Sequence, residues 1–287
     1  LLSRILGLLM LGTVASGAAR AQSLFGFDED AAAAQLALEA EFDASLSAAE
    51  QEEWLRILSR DPHHVGSAEG RAVVDFVAAH FEEWGYEVEI AEYQVLFPSP
   101  RTRELELVAP FRYTAGLAED SLAEDPSTSR VDNLLPPYNA FSTDGEVEGE
   151  LVFVNYGTPA DYEILERYGI SVEGKIAIAR YGGSWRGIKP KLAGEKGAIG
   201  TIIYSDPADD GYGAGDTYPE GPYKHESGVQ RGSVMDMPTY PGDPLTPFIG
   251  ATSEAQRLAL EDAPTITKIP VLPISYRDAL PLLEAMG

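Results

Sequence analysis

The sequence predicts a mixed α/β fold from three observations. Between Leu151 and Tyr204 short apolar runs alternate with helical stretches, the rhythm of strand, helix, strand. Two amphipathic helical patterns precede it, over residues 47–59 and 67–85. A glycine- and proline-rich stretch follows it, SGVQRGSVMDMPTYPGDPLTPFIG (residues 227–250), with neither a helical nor a strand period.

Taken in order, residues 28–46 are rich in alanine and acids but poor in large apolar side chains, which reads as a loose helix or linker. Ser47 and Glu50 have capping-box spacing, and Trp54, Leu55, Ile57 and Leu58 supply an apolar face to about Ser59. Ser67 caps a second helix whose Val73, Val74, Phe76, Val77, Phe81 and Trp84 recur at helical spacing until Gly85. Alternation from Glu87 to Phe97 predicts a strand, and Glu104–Val108 another. Residues 116–149 read as a long loop. Beyond them come strand 151–154, helix 160–168, strand 175–179, a helical turn or two over 189–196 and strand 199–204. Ser275 and Asp278 set a final capping box before Leu280, Leu282, Leu283 and Met286, closed by Gly287.

With 287 residues, 44% of them hydrophobic, the chain has material for one large core or two smaller ones. Its formal net charge of -25 repels nucleic-acid phosphates, so nucleic acid is not an expected partner. The absence of cysteine removes disulfides, thiolate zinc sites and a cysteine nucleophile. Arg4, the apolar run from Ile5 to Val14 and Ala19-Arg20-Ala21 together describe a secretory signal peptide over residues 1–21. That predicts a secreted or periplasmic protein, membrane-anchored if the leader stays uncleaved. No methionine precedes Leu1, so the expectation is a piece of a longer protein.

The sequence holds no HExxH, G-x-S-x-G or P-loop motif. The adjacent pair His63-His64 lies at a turn, and sequence neighbours rarely chelate one ion together; His80 and His225 read as surface residues. The acids of YSDPADDGYGAGD are what a series of turns requires and lack EF-hand spacing. Arg186 stands in YGGSWRGIKPK, a glycine-flanked loop between a strand and a short helix. Its planar fork suits a carboxylate ligand, while spacing alone, with many acids nearby, favours a surface ion pair.

Six segments, in order and spacing, resemble the glutamate carboxypeptidase II family, the N-acetylated alpha-linked acidic dipeptidases, which includes the transferrin receptors. They are LLPPYNAFS (134–142), GELVFVNYG (149–157), GKIAIARYG (174–182), WRGIKPKLAGEKGAIGTIIYSDPAD (185–209), GVQRGS (228–233) and GDPLTP (242–247). The resemblance implies a protease-associated (PA) domain, a β-rich sandwich with flanking helices, inserted into the start of a zinc-peptidase α/β domain. It implies a division into signal peptide (1–21), linker or loose helix (22–49), N-terminal part of the peptidase domain (50–102) and PA or apical domain (103–287).

The implied function is that of a secreted zinc-dependent exopeptidase of the carboxypeptidase type, acting on peptides with a free C-terminus. The ligands of its two zinc ions and its general base would lie outside this chain, so no catalytic residue is expected here and the chain alone is expected to be inactive. Arg186 matches the arginine that binds the substrate's C-terminal carboxylate, and Trp185 an aromatic neighbour. Thr246, by its side chain, and Ile249, by its carbonyl, match positions that share a structural calcium with residues beyond this chain. The resemblance also allows a homodimer through an absent C-terminal region. Tyr223 stands where glutamate-specific members carry an asparagine, which puts glutamate specificity in question. The alternative is a non-catalytic, transferrin-receptor-like or PA-type binding protein.

Overall fold

The computed structural model describes residues 24–130 and 132–287. The predicted signal peptide lies outside the described residues. The chain divides into two compact units, one ending at Ser59 and one spanning Arg60–Gly287.

The first unit contains α1 (Glu29–Ser45) and α2 (Ala48–Leu58). Asp28 caps α1 by accepting from the Ala31 amide at 2.8 Å, and Ser47 caps α2 by accepting from the Glu50 amide at 3.2 Å. These bonds satisfy amides that the first turn leaves without helical partners. Among the described residues no helix is long and apolar enough to cross a membrane.

The second unit opens with α3 (Ala68–Glu83), capped by Ser67, whose hydroxyl accepts from Gly70 N at 2.9 Å. Gly85, at φ 86°, ends this helix in the left-handed conformation that glycine adopts at least cost. The predicted strand over 87–97 does not form. Its backbone makes isolated bonds, Gln94 N donating to Ala251 O at 2.7 Å and Leu96 N to the Asp243 carboxylate at 2.7 Å. Alternation makes a segment fit for a sheet, but a ladder needs a neighbouring strand, and the described residues offer none here. The predicted strand over 104–108 shortens to β1 (Glu106–Leu107), paired antiparallel with β2 (Tyr113–Thr114).

The remaining elements are β3 (Asn139–Ala140), β4 (Leu151–Phe153), α4 (Pro159–Arg167), β5 (Ile176–Arg180), α5 (Ile188–Glu195), β6 (Gly200–Tyr204), α6 (Pro207–Asp210), β7 (Gly232–Ser233), β8 (Val271–Ile274) and α7 (Tyr276–Ala285). Four strands form a wholly parallel sheet in the order β4-β5-β6-β8. Helices α4 and α5 make its first two crossovers. A long excursion separates β6 from β8, and from it β7 pairs in parallel with β3.

Both faces of the sheet are covered, as a parallel sheet requires. Successive side chains of β5 alternate: Ala177 and Ala179 pack with Val152, Tyr162 and Ala193 on one side, while Ile178 packs with Ile202, Ile274 and Leu282 on the other. Small alanines face the side where α4 and α5 lie close. The fold class is therefore α/β with mixed pairing, its β-rich part a parallel sheet flanked by helices. Asp278, in the first turn of α7, is buried and accepts from Tyr113 Oη at 2.8 Å, Gly116 N at 2.9 Å and Leu117 N at 3.0 Å. That one carboxylate fastens the 113–117 segment over the sheet.

Candidate functional site

Strand β5 delivers the chain to a loop at its C-terminal end, the position where open α/β sheets gather ligands. Gly182 and Gly183 turn it at φ 93° and 71°. A Cβ on Gly183 would lie 2.7 Å from Cγ of Tyr156, so the turn needs glycine for space as well as for conformation. Ser184, Trp185 and Arg186 follow, and Gly187 caps α5.

Lys189, in the first turn of α5, is almost wholly buried. Its ammonium donates to Tyr156 O at 2.5 Å and to Gly182 O at 2.8 Å, tying the turn after β4 to the turn after β5. Burial pulls Lys189 down to about 8, against an attraction to Asp161. The site loop is thus held from beneath by a charge that the fold has largely removed from water.

Arg186 lies with its guanidinium 4.9 Å from the Trp185 ring. Its Nη2 donates to Gln230 Oε1 at a long 3.4 Å, and its Nε is buried without a partner. No carboxylate pairs with it among the described residues, so the surface ion pair that the sequence allowed is not formed. Trp185 Nε1 is also buried and unpartnered. Gly232, at φ 137°, supplies the seat: a Cβ there would lie 2.2 Å from Arg186 Nη1. The strip under the guanidinium is held by Tyr181, whose hydroxyl donates to Gln230 O at 2.8 Å, and by Asn139, whose amide donates to Tyr181 Oη at 3.1 Å and Gly232 O at 3.2 Å. Burial pushes the Tyr181 phenol up to about 12, so it stays a neutral donor.

Arg180, six residues earlier, has the opposite surroundings. It stacks 4.1 Å over Tyr156, donates to Asn155 Oδ1 at 3.0 Å and lies 3.7 Å and 3.5 Å from the carboxylates of Asp206 and Asp209. One arginine is neutralised within the fold, and the other has no carboxylate partner among the described residues.

Thr246 and Ile249 share one turn, Ile249 N donating to Thr246 O at 3.4 Å. Thr246 is buried and its hydroxyl donates to Asp243 Oδ2 at 2.9 Å, while Ile249 is exposed. A hydroxyl whose proton is already committed keeps lone pairs for a hard cation, and a hydroxyl with a carbonyl are donors of the kind calcium takes. Two donors fill only part of its usual shell. Among the described residues no group of three or more acidic or histidine side chains could hold a metal ion. Tyr223 is half-buried against Gly215, with a Gly215 Cβ position 2.7 Å from its ring.

The roles of Lys189, Gln230, Gly232 and Asp243 were not read from the sequence. Asp243 had a visible signal, Asp-Pro three residues before a threonine, the pattern of a side-chain-closed turn. The others have none, since their partners lie 7 to 93 residues away.

The PA domain family matches residues 147–236, which contain the sheet from β4 to β6 and the Arg186 loop. The chain is 39% identical over 199 residues to a probable glutamate carboxypeptidase of Arthroderma benhamiae, covering 67% of this chain and 27% of that protein. It is 34% identical over 247 residues to aminopeptidase NAALADL1 of Mus musculus, covering 83% of this chain and 33% of that one. Among solved structures it is similar to BSAP, a zinc aminopeptidase from Bacillus subtilis, at 15% identity, 81% and 40% coverage and a TM-score of 0.41. The chain spans about a third or less of the length of these curated relatives.

An α/β sheet that presents an unpaired arginine from a glycine-bounded loop is, in this chain, a PA domain. The chain belongs to the glutamate carboxypeptidase II-like family.

Proposed function

We propose that the chain is the N-terminal and PA portion of a secreted zinc-dependent exopeptidase of the carboxypeptidase type, and that Arg186 takes the C-terminal carboxylate of the peptide. The observation that carries this reading is the state of Arg186: a cation without a counter-ion among the described residues, its Nε buried and unpartnered, stacked on Trp185. Leaving such a donor unpaired is costly, and a carboxylate would satisfy it through two parallel bonds.

In this reading residues 50–102 open the peptidase domain and 103–287 form the PA domain. The apolar residues that α3 leaves exposed support a covering element outside this chain. Two zinc ions, bound by residues beyond it, would supply the activated water. The residues present here bind and orient. Arg186 fixes the peptide's end, Trp185 flanks it, Lys189 holds the loop that carries them, and Gly232 leaves room for the guanidinium. Thr246 and Ile249 would give calcium a hydroxyl and a carbonyl at a seam with the rest of the protein.

In a protein extended to the length of its relatives, Arg186→Ala should raise KM for peptides with a free C-terminus by about tenfold to a hundredfold, the worth of a charge-assisted pair. C-terminally amidated peptides should be poor substrates with or without the substitution. Unchanged kinetics for Arg186→Ala would reject the carboxylate assignment. Absence of any zinc-dependent hydrolysis by the extended protein would instead favour the non-catalytic binding reading. The chain by itself should not hydrolyse peptides.

A further inference from the structure

A second site lies on the other side of the strip that carries Gln230. A cleft of about 720 Å³ opens within the second unit, walled by the 62–64 turn, the 117–122 and 133–137 segments and the 218–231 loop. Arg186 does not line it. Gln230 turns to Arg186, whereas Arg231, the next residue, lines the cleft and pairs with Glu119 at 2.5 Å. Successive side chains of an extended strip leave on opposite sides, so the strip itself separates the two places.

Arg103 is the cation that the fold leaves uncompensated there. It is half-buried, and its guanidinium bonds only through Nη1, to Leu117 O at 3.1 Å and Pro137 O at 2.8 Å. Both acceptors are neutral. Its Nε and Nη2 have no partner among the described residues. Lys224 has Asp210 at 2.5 Å and Arg231 has Glu119, but among the described residues no carboxylate reaches Arg103. Desolvation and then repulsion from Arg231 weigh against its charge. In a chain with 46 acids and 21 lysines and arginines, two guanidiniums lining one cleft and repelling each other are a cost that an anion would relieve. The free edge of Arg103 has the fork geometry that a carboxylate fits.

The other walls define the rest of the ligand. Leu117, Leu122, Leu135 and Pro137 make the cleft apolar, and Glu119, paired with Arg231, disfavours a multiply charged anion there. We propose that this cleft binds a monocarboxylate with an apolar body, its carboxylate on Arg103 with Arg231 beside it, at a site separate from Arg186. The assignment does not depend on the peptidase reading.

Calorimetric titration of this chain with hexanoate, at fixed ionic strength and neutral pH, tests it. Saturable binding of one hexanoate is expected, with acetate weaker by roughly tenfold to a hundredfold because its methylenes are missing, and no binding of hexylamine. Arg103→Lys, which keeps the charge but loses the fork, should weaken hexanoate by about tenfold. Arg231→Gln leaves the carbonyl bonds of Arg103 in place and should weaken it by a similar factor, so the test survives if the Arg103 variant fails to fold. Arg186→Ala should bind as the parent does. The proposal is overturned by no saturable binding to the parent, by hexylamine binding as tightly as hexanoate, by full affinity in Arg231→Gln, or by loss of binding in Arg186→Ala.

Discussion

Strand β5 and helix α3 each carry apolar residues at the period of their own element, yet Ala177, Ile178 and Ala179 are completely buried while Val74, Val77 and Phe81 remain 39–42% exposed. Periodicity decides which side of an element is apolar. A second element must cover that side before burial follows, and the described part of the second unit gives β5 two covering layers and α3 none that closes over it. Residues 85–97 repeat the lesson, with Ile90, Tyr93 and Val95 exposed along a backbone that finds no ladder.

The largest test of this contrast is Ile178→Ala, which should destabilise the second unit by about 2–5 kcal/mol through lost burial and a cavity between closed layers. Urea denaturation measures it, and a loss below about 1 kcal/mol would mean that the sheet is not the packed centre described above.

A smaller effect is expected at Lys189, where a charge rather than a methyl group is buried. Lys189→Met leaves the carbonyls of Tyr156 and Gly182 without their donor and should cost about 1–3 kcal/mol. The cost should depend on pH. Lys189 titrates at about 8 in the fold against an ordinary 10.5, so between those values the unfolded chain binds more protons. Stability of the parent relative to the methionine variant should therefore rise with pH across that window and be level below it. A difference that is flat from below 8 to above 10 would show that the ammonium is not buried.

The smallest effect is Val77→Ser on the exposed side of α3, expected to change stability by less than about 0.5 kcal/mol in this chain. In a protein of the relatives' length the same substitution should cost about 1–3 kcal/mol if the proposed peptidase domain covers α3. Equal small effects in both would remove the support that α3 gives to the domain reading.

Much of the fold was legible because the signals were local. Ser47, Ser67 and Ser275 all cap the helices they announce, and β5 and β6 stand out as apolar runs, β5 between glycines and β6 between a glycine and Asp-Pro. Strand β8 was missed because Pro273 interrupts it; the proline is tolerated because β8 is an edge strand, with one neighbour only. The strand expected over 87–97 was misread for the complementary reason, since a period carries no information about a partner. At the site, the glycines flanking Arg186 were visible, and the resemblance gave the arginine its role. Its isolation from acids was not visible, because it depends on Gln230 and Gly232, 44 and 46 residues further on.

The Asp278 carboxylate holds three groups that lie 161 to 165 residues earlier in the chain. Until β8 and α7 exist, the 113–117 segment is held by β1 and Arg103 but not by the Asp278 carboxylate, and the exposed edge of β6 has no neighbour, whatever β4 to β6 have already formed. A chain emerging from the ribosome therefore carries an open sheet edge for the whole synthesis of residues 205–270. Closing a loop of that length is entropically unfavourable and slow compared with forming the local crossovers. Maturation of this region is thus set by its most distant contacts, and during that interval the bare edge is where misassociation between nascent chains would begin.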